Sequence, residues 1–576
     1  ADAVATEEGR GNRVELLYDP FSRLVLVRDT LGKELRFTYS AEGRLTELSD
    51  PFGRRVRYGF DALGRLVSVR SPEVTVGERT YPQGIETRYA YEEPAGDAAS
   101  FLHRRDNLTT FTDGRGVDWL TVTYTDADGD GKADEATGQT WGGDALSIAY
   151  DFAGKTTTVT DRRGELFRTI HNGRGQAVRR EDPEGARWEW SYDDEARRTS
   201  LTKPLGGREE WDYPTRGNRR SFGNVLAHRM VPDSRGPNGA GSLTQSFFEY
   251  EERTNQPTRI IDPRGVITII ERDEAGLPLV VTEGVSSGDP RQWRFSHNAF
   301  GQLVREVGPT GRVRELDYFR DGEIKGYLWK EIVDPGALEL RTEYERDGRG
   351  NVLRVRDQRG VQHHRVVNEL DQVVEEIQAA AAGGQAGNPL RYTTKSLYDE
   401  NGWLIEEMRP FGLAGDTFTS TRWTRGDLGE VLAEEREIGA GAVARQEWAY
   451  DPNRNRLTER GPDGQLRRWS YDGRGYAVEQ VLGEGTADAI VERFGYDLEG
   501  RRIRFEDGRG ALWQTSFDGY GRVRASTDPL GNRQEREYDP EGRVARACAF
   551  DGSSGTMLTE QLWQYDAFGR VSERTD

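Results

Sequence analysis

The segment Asp126-Ala127-Asp128-Gly129-Asp130-Gly131-Lys132-Ala133-Asp134-Glu135 concentrates the most specific chemistry in this chain. Aspartates at alternate positions followed by a glycine reproduce the opening of an EF-hand loop, in which carboxylates converge on one hard, oxygen-seeking cation. Asp126, Asp128 and Asp130 would supply three ligands and the Lys132 carbonyl a fourth, with Asp134 or Glu135 closing the shell. The twelfth position is Thr137, not the bidentate glutamate of the full motif, and no flanking helices are evident. The expectation is a structural Ca2+ whose ligands saturate it. The competing reading is a solvated acidic loop.

Other reactive patterns lack their context. Gly284-Val285-Ser286-Ser287-Gly288 fits a nucleophile elbow, but that device needs a strand-turn-helix setting and a partner histidine. Gly439-Ala440-Gly441-Ala442-Val443-Ala444 resembles a dinucleotide fingerprint without the βαβ unit that gives it meaning. His363 and His364 are adjacent, so on a strand they point to opposite faces. Cys548 is the only cysteine, which excludes an internal disulfide or a thiolate metal cluster. A net charge of −19 has the wrong sign for binding nucleic acid through its phosphates. No apolar run is long enough to span a membrane. The expected chain is not an enzyme.

The elements that must position these residues repeat. An aromatic-Asp-x-x-Gly-Arg phrase recurs, as in Phe60-Asp61-Ala62-Leu63-Gly64-Arg65, Tyr496-Asp497-Leu498-Glu499-Gly500-Arg501 and Tyr538-Asp539-Pro540-Glu541-Gly542-Arg543. Tyr18, Tyr39 and Phe60 are equally spaced, as are Tyr496, Phe517 and Tyr538, giving a period of about 21 residues. Midway between copies stands a second phrase: Asp50-Pro51-Phe52-Gly53, Asp182-Pro183-Glu184-Gly185, Asp262-Pro263-Arg264-Gly265 and Asp528-Pro529-Leu530-Gly531. Both read as turns, because aspartate bonds its own backbone, proline presets φ and glycine supplies the positive-φ corner. Between them the chain alternates: Val56, Tyr58 and Phe60 with Arg55, Arg57 and Gly59; Trp188, Trp190 and Tyr192 with Arg187, Glu189 and Ser191. Each period is therefore a β-hairpin, and the chain as a whole makes up to roughly 50 short antiparallel strands. Gln372–Ala382 is the one helical candidate. Arginine after the turn glycine recurs too regularly for catalysis and is expected to pair with carboxylates of neighbouring turns. Apolar residues are only 35% and mean hydropathy is −0.80, yet there are 13 Trp. A single curved layer with two wetted faces accounts for that balance.

These phrases resemble the YD repeats of the Rhs (rearrangement hot spot) proteins, also found in the B and C components of insecticidal toxin complexes and in teneurins. The resemblance covers about residues 11–95, 146–205 and 249–576. It implies an all-β fold: a long antiparallel sheet of 21-residue hairpins spiralling into a hollow shell or barrel-like cocoon, as one unit over 1–576. Residues 96–145, which hold the acidic loop, and 206–248 are expected as insertions, and 379–389 as a small-residue loop. The resemblance further implies a structural shell that encloses or presents a C-terminal toxin or effector, in a secreted bacterial protein delivered by a secretion system, with a secretion-system carrier as a partner. The abrupt start and mid-pattern end read as a piece of a longer protein. None of the Asp-Pro phrases is followed by leucine as in the family's self-cleavage junction, so autoproteolysis is not assigned. The alternative function is an extracellular adhesin or carbohydrate-binding array, its exposed aromatic rows stacking on cell-surface glycans.

Overall fold

The computed structural model describes residues 3–6, 13–77, 79–93, 103–217, 220–238, 244–378, 393–411, 417–439 and 441–576. They carry 49 β-strands and one 3-10 turn at Ser221–Gly223. Successive strands pair antiparallel with their neighbours in sequence, as the alternation requires. Leu24–Arg28 lies against Arg13–Tyr18 on one side and Glu34–Tyr39 on the other. Arg187–Tyr192 lies between Ala177–Glu181 and Arg198–Thr202. The expected helix at Gln372–Ala382 is instead a strand at Val373–Gln378, paired on both sides, and residues 379–382 fall outside the described residues. Its valines and isoleucine satisfy a period of two as well as one of 3.6, and the adjoining ladder selects the former.

The chain forms two compact units. One comprises Ala1–Ala145 and Arg294–Trp448; the other comprises Leu146–Trp293 and Ala449–Asp576. Each unit therefore contains an early run and a late run of hairpins.

In the first unit the segment 96–145 does not merely project. Its strands Leu108–Thr112, Asp118–Thr125 and Glu135–Trp141 continue the ladder from Glu86–Tyr91. What leaves the ladder is a short hairpin, Val74–Val76 with Arg79–Tyr81, while Leu66–Arg70 pairs directly with Glu86–Tyr91 beneath it. In the second unit the segment 206–248 likewise supplies paired strands at Arg208–Asp212, Ala227–Val231 and Thr244–Tyr250. These copies were hard to see because their turns read Asp113-Gly114-Arg115-Gly116 and Asp233-Ser234-Arg235-Gly236 without the tyrosine phrase. The loop 379–389 lies outside the described residues.

Hairpins closed by the tyrosine phrase share one irregularity. The register shifts at Leu17/Tyr18, Thr38/Tyr39, Gly59/Phe60, Gly495/Tyr496 and Glu537/Tyr538. A bulge puts two residues opposite one, which bends its strand and increases its twist. Such bulges, placed at one end of hairpin after hairpin, bend the ladder repeatedly in the same sense. The ladder is one layer thick, and its interior is correspondingly meagre. Among the described residues only twelve apolar or cysteine side chains are fully buried, Leu26, Leu316, Ile332 and Val481 among them.

Within each unit the early run meets the late run turn to turn. In the first, Arg54 Nη1 donates to Asp371 Oδ2 at 2.6 Å and Asn401 Nδ2 to Asp113 Oδ2 at 2.6 Å, across 317 and 288 residues of sequence. In the second, Arg163 Nη2 reaches the Asp472 carbonyl at 2.9 Å, and Arg264 reaches the carbonyls of Asp566 and Ala567 at 3.0 Å each. The backbones also bond directly: the Asp233 amide to the Gly519 carbonyl at 3.0 Å and the Gly519 amide to the Gly236 carbonyl at 2.7 Å. Gly519 is required there, since a Cβ would sit 2.8 Å from backbone atoms of Asp233. Gly519→Ala is expected to open this contact and deprotect the Asp233 and Gly519 amides in hydrogen exchange, leaving amides of the Leu24–Arg28 strand unchanged.

Candidate functional site

The repeated turn is itself a polar site. In the turn starting at Asp19, Oδ1 accepts the Phe21 and Arg23 amides at 2.9 Å each, and Oδ2 accepts Arg23 Nε at 2.7 Å. The same carboxylate-guanidinium contact, also at 2.7 Å, joins Asp50 to Arg54, Asp61 to Arg65, Asp193 to Arg197, Asp518 to Arg522 and Asp539 to Arg543. In the tyrosine-phrase turns the arginine then lies over the aromatic ring that opens a following phrase. Arg23 stands 5.0 Å from the Tyr39 centroid, Arg522 4.5 Å from Tyr538, and Arg543 4.3 Å from Tyr565. Each of those tyrosines donates its hydroxyl back to the residue after the arginine: Tyr39 to the Leu24 carbonyl at 2.8 Å, Tyr538 to Val523 at 2.7 Å and Tyr565 to Val544 at 2.7 Å. The expected arginine-carboxylate pairing is thus real, but in most copies the carboxylate belongs to the arginine's own turn. The neighbouring turn contributes the ring. Burial raises the Asp61 carboxyl, but hydrogen bonds from the Arg65 amide and guanidinium outweigh it and hold the group below the ordinary carboxylate value. The Asp61 turn therefore stabilises the fold above that ordinary value and loses its contribution as pH falls through the depressed one.

The acidic loop adopts part of the geometry its sequence suggests. Asp126 Oδ2 accepts the Gly131 amide at 3.0 Å, Asp128 Oδ1 the Asp130 amide at 3.0 Å, and Glu135 Oε2 the Ala127 amide at 3.0 Å. Asp126, Asp128 and Glu135 each offer a carboxylate oxygen, and these lie within 4.8 Å of one another. Asp130 is turned instead toward Lys132 Nζ, whose hydrogen bond holds its carboxyl below the usual range. Asp134 is exposed and stands outside the group.

Sequence reasoning missed a carboxyl pair in the second unit. The Arg264 guanidinium lies between Asp262 (Nη2–Oδ2 2.9 Å) and Glu541 (Nε–Oε1 2.9 Å), with Arg543 Nη1 3.5 Å from the far Glu541 oxygen. Burial and the adjacent Asp262 carboxyl push Glu541 up to about 7, while Asp262 stays ionised. The two acids are 279 residues apart, so nothing in the sequence pairs them.

The RHS Repeat family profile matches residues 18–54, 39–73 and 171–208. The chain carries the YD repeats characteristic of the Rhs family. It is 24% identical over 319 residues to double-stranded DNA deaminase toxin A of Burkholderia cenocepacia, a match covering 50% of this chain and 22% of that protein. It is 26% identical over 281 residues to toxin protein Tse5 of Pseudomonas aeruginosa, covering 45% and 20% respectively. These matches span about a fifth of the length of each relative. Among solved structures, TcdB2-TccC3 superposes with a TM-score of 0.62 at 13% identity, over 98% of this chain and 34% of that one. The Tc holotoxin pore of Photorhabdus luminescens gives 0.62 at 12%, over 98% and 35%. At such identity the likeness establishes the fold, and it extends along nearly the whole YD-repeat chain.

Two outcomes test the site's energetics. Asp518 is fully buried beside Arg522, so Arg522→Met leaves an unpaired interior carboxylate and is expected to destabilise the chain by roughly 3–5 kcal/mol. The equivalent Arg570→Met, where the arginine is largely exposed, should cost no more than about 1 kcal/mol; equilibrium unfolding in urea compares them. Because the folded pKa of Glu541 is raised, its contribution is complete below its ordinary value of 4.5 and is lost as pH rises toward about 7. Glu541→Gln is therefore expected to flatten the fall in melting temperature over that interval.

Proposed function

We propose that this chain is a wall segment of an Rhs-type toxin, built to enclose or present a C-terminal effector encoded outside this sequence. The observation that carries the reading is the full-length fold likeness to the TccC3-containing toxin structures, joined to sequence similarity with two bacterial toxins. The physical design agrees with it. A wall held by turn-to-turn polar contacts has no need to fill its concave side with apolar side chains, which leaves room for a cargo that must later be released. The role is structural, and the chain's own residues do no chemistry on that cargo. The parent protein acts outside the producing cell after delivery by a secretion apparatus. The late runs leave matching edges open: Arg359 and Arg509 occupy the same turn position as the seam-forming Arg163 and Arg264 but are 80% and 88% exposed. Further hairpins of a longer parent would seat there.

Limited proteolysis of the intact parent protein tests the proposal. The effector should resist protease while the wall is folded and become cleavable once the wall is denatured. An effector digested as fast within the intact parent as in isolation would contradict it.

We also propose that the acidic loop takes one Ca2+, with Asp126, Asp128 and Glu135 as the side-chain ligands. Calcium titration should raise the melting temperature of the wild-type chain and leave that of Asp128→Ala unmoved. Equal shifts, or none in the wild type, would remove the site.

A further inference from the structure

The turn at Asp182 leaves its second carboxylate oxygen unfilled. In many turns an Arg or Asn four residues after the aspartate occupies that oxygen, as do Arg23 on Asp19 and Arg197 on Asp193 at 2.7 Å, Asn351 on Asp347 at 3.0 Å and Asn455 on Asp451 at 2.8 Å. In others an Arg two residues after it does so, as do Arg115 on Asp113 and Arg264 on Asp262 at 2.9 Å each. Here those two positions are Glu184 and the fully buried Ala186, neither of which has a donor side chain. Asp182 Oδ1 still accepts the Glu184 and Ala186 amides, at 3.0 and 2.8 Å. Oδ2 has no hydrogen-bond partner although Asp182 is only 8% exposed. A buried oxygen left bare costs on the order of 1–3 kcal/mol, more for a charged group, and calls for an occupant.

The surroundings say what kind. Asp182 lines a cleft of 320 Å³ within the second unit, walled by Phe167, Trp188 and Trp190 of the early run and by Tyr476 and the Leu498–Gly500 turn of the late run. Trp188 and Trp190 stand two apart on one strand face, directly beside the bare oxygen's turn. Charge in the cleft balances, with Arg180 and Arg474 against Asp182 and Glu499. Arg474 is committed to Asp472 and to the Asp497 carbonyl, at 2.8 and 3.0 Å. Arg180 lies over Phe167 at 5.5 Å and makes no ion pair among the described residues, which leaves its donors available.

We propose that this cleft binds a neutral pyranose sugar, a site independent of the wall role above. The C–H face of such a ring meets the electron-rich indole faces, one hydroxyl donates to Asp182 Oδ2, and another accepts from Arg180. An anion would be repelled by the bare carboxylate. A quaternary ammonium would meet two guanidinium groups. A polyhydroxylated, uncharged ring uses every feature present.

Saturation-transfer NMR on the whole chain, with methyl glucoside, methyl galactoside, N-acetylglucosamine, sialic acid and choline as probes, tests the assignment. At least one neutral sugar should bind saturably in the millimolar range, and sialic acid and choline should not. Asp182→Asn, which keeps the turn's shape, should weaken that sugar about tenfold or more. Trp190→Ala should do the same, with an unchanged melting temperature certifying the fold. Binding of none of the neutral sugars would overturn the proposal. So would preference for either charged probe, or neutral-sugar binding indifferent to both substitutions.

Discussion

A carboxylate that gathers two backbone amides and one guanidinium, and a guanidinium that then covers the next aromatic ring, is the contact on which this protein depends. A sheet one layer thick cannot rely on the hydrophobic effect alone, because both faces meet water and few side chains lose it entirely. Ladder hydrogen bonds hold neighbours in register but cannot dictate how far the ladder bends. The aspartate-arginine turn supplies what is missing. It fixes each hairpin end through charge-assisted bonds and ties that end sideways to the following one through a ring and a hydroxyl. The spacing of about 21 residues in the sequence is the length of chain needed to bring the next ring under the last guanidinium.

Two consequences join this local chemistry to function. Bulges at the tyrosine bend successive hairpins in one sense, so curvature is written into each repeat and needs no scaffold inside it. Arginines at the third position of the opposite turns, such as Arg163 and Arg264, reach carbonyls of a run roughly 300 residues away, so each unit is stitched by polar contacts. Fastenings of this kind suit the enclosing role proposed above. The carboxyl pair at Glu541 makes one of them sensitive to pH between its ordinary value of 4.5 and about 7.

Much of this was legible in the residues. Tyrosine-aspartate and aspartate-proline phrases fixed the hairpins, the turn chemistry and the strand number, because each rests on interactions within a few positions. Elements were misjudged where their spelling was locally ambiguous: Val373–Gln378 satisfies two periods, and the strands around Trp119 and Trp141 lack the tyrosine phrase. In the acidic loop the carboxylates of Asp126 and Asp128 were foreseen to converge, but Lys132 claims Asp130 at short range and Glu135 takes its place. Contacts between runs lay beyond reach, since no local pattern couples Asp262 to Glu541 or Phe167 to Tyr476. The bare oxygen of Asp182 did leave a trace: Glu184 and Ala186 stand at the two positions from which arginine or asparagine fills that oxygen in sister turns.

The central claim is that the turn contacts, acting sideways from hairpin to hairpin, hold the wall. Hydrogen exchange of a chain in which Arg23 and Arg65 are both methionine addresses it most directly, because methionine preserves bulk and apolar cover while deleting the guanidinium. Protection is predicted to collapse cooperatively across the strands from Arg13–Tyr18 to Leu66–Arg70, beyond the two turns themselves. Loss confined to those turn amides, with the intervening strands as protected as in the wild type, would show that the ladder stands without them and would contradict the account.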